Sequence, residues 1–217
     1  MIDLHTHTLF SDGELGPSEL VYRAKVKGYD TIAITDHGDF ASFDLVIPRI
    51  RRVEKDLSRY YGITVIPGIE ITYVPPALIS RAVKECRRRG ARIIVVHGET
   101  PAETVPPGTN RAAILAGTDI LAHPGKITPD EVMLARDKGV CLEITTRRGH
   151  NVTNRHVARL AKKYGASLVM DTDTHSPENL MNEDSIKATL AMSGLTRDDF
   201  RVMQENSRQL ISRRLPK

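Results

Sequence analysis

Six of the eight histidines in this 217-residue chain, His5, His7, His37, His97, His123 and His175, stand at or just past the end of a short β-branched apolar run, as do Glu70 and Asp173. Imidazole nitrogen with carboxylate oxygen and no thiolate is a donor set for zinc, manganese or iron. Calcium asks for more oxygens, and magnesium rarely takes histidine. In His5-x-His7 and Asp173-x-His175 the partners are two residues apart, and the period of two along an extended strand turns both to one face. Eight donors exceed the roughly four that one tetrahedral zinc uses, so the pattern predicts a centre of more than one ion. A hydrogen-bonded structural role explains one such histidine well, but not a whole series recurring at successive strand ends.

The elements that must position these residues are legible from hydrophobic pattern and turn chemistry. Strands are expected near Ile2–Leu4, Thr31–Thr35, Thr64–Ile69, Arg92–Val96, Asp119–Ala122, Val140–Ile144 and Ser167–Asp171. Helices are expected near Pro17–Lys27, Phe43–Tyr61, Pro76–Arg89, Arg111–Gly117, Pro129–Lys138, Asn154–Tyr164, Pro177–Met192 and Arg197–Ser212. Prolines open several of them, where a missing N–H costs nothing, and glycines follow their ends. Seven strand–helix alternations predict an α/β fold with an all-parallel sheet and right-handed crossovers, in one domain spanning residues 1–217. Periodicity alone does not choose between an open doubly wound sheet and a closed barrel. In either, ligands bind at the carboxyl ends of the strands, where the donors lie.

Composition narrows the class. Lys and Arg total 31 against 27 Asp and Glu, a net charge of +4, with 40% hydrophobic and 27% charged residues. These are ordinary globular values that exclude a disordered chain, a coiled coil and a collagen. Cys86 and Cys141 form no CxxC, which argues against a disulfide scaffold or thiolate metal site and for a reducing, cytoplasmic setting. No apolar run approaches the ~20 residues of a membrane span, and the start at Met1-Ile2-Asp3-Leu4-His5 reads as a strand rather than a signal peptide, so no membrane contact is expected.

Four motifs occur in order: Asp3-Leu4-His5-Thr6-His7-Thr8 with Ser11-Asp12-Gly13, Ala33-Ile34-Thr35-Asp36-His37, Gly68-Ile69-Glu70, and Asp171-Thr172-Asp173-Thr174-His175, with His97 and His123 between the last two. Together they resemble the PHP (polymerase and histidinol phosphatase) family over almost the whole chain. The resemblance implies a distorted (β/α)7 TIM-like barrel with a trinuclear site at the carboxyl ends of its strands. By that likeness His5, His7, Glu70 and Asp173 hold one ion, Glu70 bridges to a second held by His97 and His123, and Asp12, His37 and His175 hold a third. Two to three divalent ions, manganese, zinc or iron, are the implied cofactor. Family members often carry alanine where this chain has Thr174, a position expected to point away from the ions.

The function so implied is a metal-dependent phosphoesterase acting on a small phosphomonoester or short phosphodiester through a metal-bound hydroxide, with Glu70 and Asp173 organising the ions. Such a centre suits phosphate oxygens. Histidinol phosphatases of the family tend to be longer, which makes their substrate possible rather than favoured. The alternatives are a PHP-type 3′–5′ exonuclease or nucleic-acid phosphodiesterase, and a non-catalytic PHP scaffold. Only four Phe and six Tyr are present, and scarce aromatic platforms count mildly against single-strand binding. An amidohydrolase also opens with His-x-His but usually adds a ligating lysine, and no lysine falls at a strand end here.

Around the donors, Asp36 and Asp171 are expected to accept a hydrogen bond from a ligating imidazole. Arg147, Arg148 and His150 follow the sixth strand. Arginine there matches phosphate oxygens, and His150 is placed to give a proton to a leaving alkoxide. The long segment 98–111 reads as a binding loop in which Asn110 or Arg111 faces substrate, a helix cap being the plain alternative. Arg87, Arg88 and Arg89, the charges around Arg49–Asp56, and His156 read as solvated or structural.

Overall fold

The computed structural model describes residues 1–214. Its strands are β1 (Ile2–Asp3), β2 (Thr31–Ile34), β3 (His37–Gly38), β4 (Thr64–Ile71), β5 (Ile93–His97), β6 (Ile120–Ala122), β7 (Cys141–Thr145) and β8 (Leu168–Asp171). Its helices are α1 (Pro17–Val26), α2 (Phe43–Tyr61), α3 (Pro76–Arg89), α4 (Thr109–Ala116), α5 (Pro129–Lys138), α6 (Asn154–Tyr164), α7 (Glu183–Ser193) and α8 (Arg197–Arg214). Two expectations need correction. Residues 37–38 form an extra short strand on β4. The helix expected over Pro177–Met192 is a 3₁₀ turn, Pro177–Asn179, and then α7, because the Asn182 side chain accepts from Ser185 N and starts a new helix after buried Leu180.

All strands pair in parallel, in the order β1-β2-β4-β5-β6-β7-β8 with β3 beside β4. The sheet closes between its first and last strands by a parallel bridge, Thr6 to Thr174, with His7 N donating to Thr174 O and Asp173 N to His5 O, both at 2.9 Å. The result is the (β/α)7 TIM-like barrel. Its seam runs through the segments that carry His5, His7, Asp173 and His175.

Two apolar layers follow from the period of two. One lies between strands and helices and includes Ile32, Ile34, Ile69, Ile94, Leu142 and the inner faces of α1 to α7. The other fills the barrel with Ile66, Ile93, Val95, Ile120, Cys141 and Val169. Leu210 of α8 joins this interior cluster, and the Gln204 amide bonds both Ile2 N and Ile2 O at 2.8 and 3.0 Å, so α8 seals the amino end. Solvent reaches the interior from the other end.

Candidate metal centre

The rows that fill the barrel continue upward into polar residues. Ile66 and Gly68 lead to Glu70, Ile93 and Val95 to His97, Cys141 to Glu143, and Val169 and Asp171 to Asp173. A strand with an apolar floor thereby delivers its last inward side chain to the mouth. Beyond the strands, the backbone is bent to aim two of the donors. Tyr73, His123 and Asp173 have φ of 56°, 26° and 52°, and are the non-glycine residues of positive φ among those described. Such conformations persist where surrounding structure enforces them. Gly13 marks a close approach: a Cβ there would lie 2.6 Å from His7 O, so the turn after β1 folds straight back and carries Asp12 to the mouth.

Nine expected ligands and His150 gather there in three groups. In the first, His7 Nε2 lies 3.1 Å from Asp173 Oδ1 and 3.6 Å from Glu70 Oε2, and His5 Nε2 lies 3.7 and 3.4 Å from the same two oxygens. In the second, the His123 ring is 4.5 Å from His97 and 4.4 Å from His150, with Glu70 Oε1 4.0 Å from His123 Nε2. In the third, Asp12 Oδ2 stands 3.0 Å from His175 Nε2 and 3.6 Å from His37 Nε2, with His7 Nδ1 3.8 Å from its other oxygen. The grouping matches the likeness except that His150 joins His97 and His123.

A test of fit for metal comes from polar atoms left over. His5 Nε2, His7 Nε2, His123 Nε2, Glu70 Oε1 and Asp173 Oδ1 are buried without a well-directed hydrogen bond among the described residues, and Glu70 Oε2 faces the His37 ring, with Nδ1 at 2.7 Å. Buried polar atoms are nearly always satisfied, and five so placed around one volume are costly without an ion between them. Nitrogen and oxygen donors in this number fit divalent ions of the zinc, manganese and iron type.

Proton affinities show what competes with those ions. Burial pushes the Glu70 carboxyl up, but His5 and His37 outweigh it and hold it well below the usual range. Burial pushes His5 and His37 down, and against it Glu70, helped by Glu143 at His5 and by Asp12 at His37, raises His5 well above normal and His37 to about 10. His7 is driven to about 3 by burial and by the charge of His37. Near pH 7 the metal-free centre therefore holds protons on His5 and His37, with His7 neutral. Ion binding must displace those two protons, so metal affinity is expected to rise with pH. Calorimetric titration of manganese or zinc in buffers of different ionisation enthalpy should show net proton release at pH 7, and no release would contradict this assignment.

Several expected roles change. Asp36 accepts from Thr8 N at 2.6 Å, from the Thr8 hydroxyl and from Ser11 Oγ, which makes it the anchor of the turn carrying Asp12 rather than a partner of an imidazole. Asp171 accepts from Leu4 N at 2.7 Å and likewise meets no histidine. That function falls to Glu143, which the sequence reading missed. One oxygen lies 2.6 Å from His5 Nδ1, and the other is 3.0 Å from His123 Nδ1 and accepts from His123 N at 2.9 Å. Its signal was a lone carboxylate within the apolar run Cys141-Leu142-Glu143-Ile144, in register with the inward Cys141.

Burial and the neighbouring His123 hold His150 down at about 4, and its ring stands beside the second group. Arg147 lies with Nη1 3.1 Å from Asn179 Oδ1 and Nε 3.9 Å from Asp173 Oδ2, half-buried at the mouth. Arg148 and Arg111 are exposed. Asn110 is buried, accepting from Glu99 N and donating to Pro124 O, and so pins the 98–108 loop instead of facing substrate. Within that loop Glu103 accepts from Tyr73 Oη at 2.6 Å and lies 3.5 Å from His97 Nε2. His156 bonds Ile127 O and is structural. A cavity of about 420 Å³, lined by Asp12, His37, Asp39, Ser42, Thr72 and Tyr73 among others, opens beside the third group.

A parallel barrel closed at its floor and ringed at its mouth by histidines and carboxylates defines a class of metal-binding TIM-like barrels. The chain belongs to the PHP domain family, whose model matches residues 3–181. It is 44% identical over 200 residues to an uncharacterised protein of Methanocaldococcus jannaschii, covering 91% of this chain and 92% of that one. A protein of Clostridium novyi named "probable phosphatase" is 27% identical over 226 residues, 88% of this chain and 85% of its own. Among solved structures, a chain in the cryo-EM structure of archaeal ribonuclease P with mature tRNA superposes with a TM-score of 0.75 at 20% identity, over 99% of this chain and 91% of that chain, which supports the fold. No helix among the described residues is long and apolar enough to cross a membrane.

Proposed function

We propose that this protein is a metal-dependent phosphoric ester hydrolase acting on a small phosphorylated substrate, with two to three divalent ions held by His5, His7, Asp12, His37, Glu70, His97, His123, Asp173 and His175. The observation that carries the reading is the set of buried, unpartnered donor atoms converging on one volume. Membership of the PHP domain family and the phosphatase-named relative support hydrolysis as the reaction. When bound, divalent ions supply an activated water and neutralise phosphoryl charge. Glu70 stands between the first two groups and so sets their spacing. Asp173, held well below the usual carboxylate range against its burial by His5 and His7, keeps its negative charge at neutral pH. Arg147, beside Asp173 and open to the mouth, is the cation we assign to the phosphoryl oxygens.

Arg147 has a second duty in this reading, since its bond to Asn179 steadies the segment that follows Asp173. A scaffold role is disfavoured because every ligand position is filled and the donors are buried without partners. The deciding experiment is metal analysis of freshly purified protein, then parallel assays on a chromogenic phosphomonoester and phosphodiester after addition of manganese, zinc or iron. Stoichiometric metal and hydrolysis of either ester are expected. A protein that takes up no metal and cleaves neither would sink the reading.

A further inference from the structure

Resting on that metal-dependent reading, we propose that His150 is a tenth ligand, the fourth protein donor to the second ion, and that this ion is held closed while water and substrate meet the other two groups. The likeness gives the second ion only His97, His123 and Glu70, and three protein ligands leave a position open. His150 stands where it can fill that position. Its ring centroid lies 4.4 Å from that of His123 and 5.8 Å from that of His97, and one ligating atom from each of the three rings falls within 4.8 Å of the others. His97 Nδ1 is 3.0 Å from Gly98 O and His123 Nδ1 is 3.0 Å from Glu143 Oε2, so in both rings Nε2 is the nitrogen left for the centre. The Nδ1 of His150 is buried with no hydrogen-bond partner among the described residues, although buried nitrogens nearly always have one. An ion among the three rings supplies it.

The local backbone is built to present that ring. Gly149, with φ 95° and ψ −49°, adopts a conformation that side chains oppose, and it sends the chain from β7 into the 3₁₀ turn His150–Thr153. Both ends of the turn are tied down. Asn151 N donates to Arg147 O at 3.0 Å, while the Asn154 side chain accepts from Thr145 N at 3.3 Å and donates to Thr145 O at 2.8 Å. Burial then separates the second group from the third. His97 and His123 are 2% and 1% exposed, whereas the Asp12 and His37 side chains are 55% and 24% exposed beside the cavity. The 98–108 loop covers the second group: Glu103 reaches to 3.5 Å from His97 Nε2, and a Cβ at Gly149 would lie 3.8 Å from that of Ala102. A covered group with four protein donors is the arrangement of a structural ion, and an open group beside a cavity is that of a reacting one.

The test uses the full chain. In histidine ¹⁵N spectra, assigned by comparison with His150→Phe, zinc loading is expected to move the His150 Nδ1 signal to that of a metal-bound nitrogen. His150→Ala and His150→Phe should each lower the affinity for one zinc at least ~100-fold, beyond what loss of a residue that merely orients a ligand costs. Phenylalanine keeps the shape of the ring and removes only its nitrogens. In manganese-loaded protein His150→Ala should also raise water proton relaxation, because a water takes the vacated position; a packing role would leave relaxation unchanged. Unmoved His150 signals and parental zinc affinity in His150→Phe, with a phosphate ester still hydrolysed, overturn the proposal and leave the phosphoesterase reading intact. A metal-bound His150 in a protein that cleaves no ester supports the proposal and overturns that reading. Affinity lost in Glu103→Gln but kept in His150→Phe would give the position to Glu103 and overturn the proposal.

Discussion

Asp173→Asn is expected to lower turnover at least ~10³-fold, about 4 kcal/mol in the barrier, and to reduce bound metal, with the barrel still folded. Asp173 Oδ1 is the buried oxygen nearest His7 Nε2 and stands 3.7 Å from His5 Nε2, so it completes the first donor group. Asparagine keeps the shape and tolerates the φ of 52° at this position, but it replaces an ionised oxygen by a neutral one. The Asp173 backbone N–H still donates to His5 O, so the seam of the barrel is retained. Circular dichroism and a melting temperature near that of the parent, alongside metal analysis, separate this outcome from misfolding. His7→Ala should behave alike, because His7 contributes to the first group through Nε2 and faces the third through Nδ1. Near-parental activity in both variants would contradict the site.

Glu143→Gln is expected to weaken metal binding about 100-fold, the upper end for residues that orient ligands, because one carboxylate serves two imidazoles. Once ions displace the His5 proton, both oxygens accept, from Nδ1–H of His5 and of His123, which leaves both Nε2 lone pairs for the centre. A glutamine amide has one acceptor and one donor. One histidine must then accept at Nδ1 and carry its proton on Nε2, where it faces the ions. The two histidines belong to different groups, so a single change outside the ligand set disturbs two of them. Histidine ¹⁵N spectra of the zinc-loaded protein should report the changed tautomer, and titration with zinc or manganese the lost affinity. Parental affinity with unaltered tautomers would show that Glu143 only fills space.

Most of the donors were legible because the signal is local. His5 and His7, and Asp173 and His175, are each two residues apart, and a strand end puts such a pair on one side whatever the rest of the chain does. Helix boundaries at Phe43–Tyr61, Pro76–Arg89 and Asn154–Tyr164 were equally local, set by prolines, glycines and apolar spacing. Asp36 and Asp171 were misassigned for the complementary reason. Each is close to a ligand along the chain, but its side chain turns to the neighbouring strand, where Thr8 and Leu4 supply donors. Asn110 was misread because nothing local shows that its amide spans to Pro124.

The amino-acid sequence by itself determined which residues are candidate donors, their order along the chain, and the end of the strands that bears them. These depend on side-chain chemistry and the periods of strand and helix, which act over a few residues. Tertiary structure alone decided that the sheet closes from Thr6 to Thr174, that His150 joins His97 and His123, and that Glu143 holds His5 across 138 positions. Such pairings depend on how strands stagger as the barrel closes. A shift of one residue in register would turn an inward donor outward, and nothing within a single strand specifies which partner it will face.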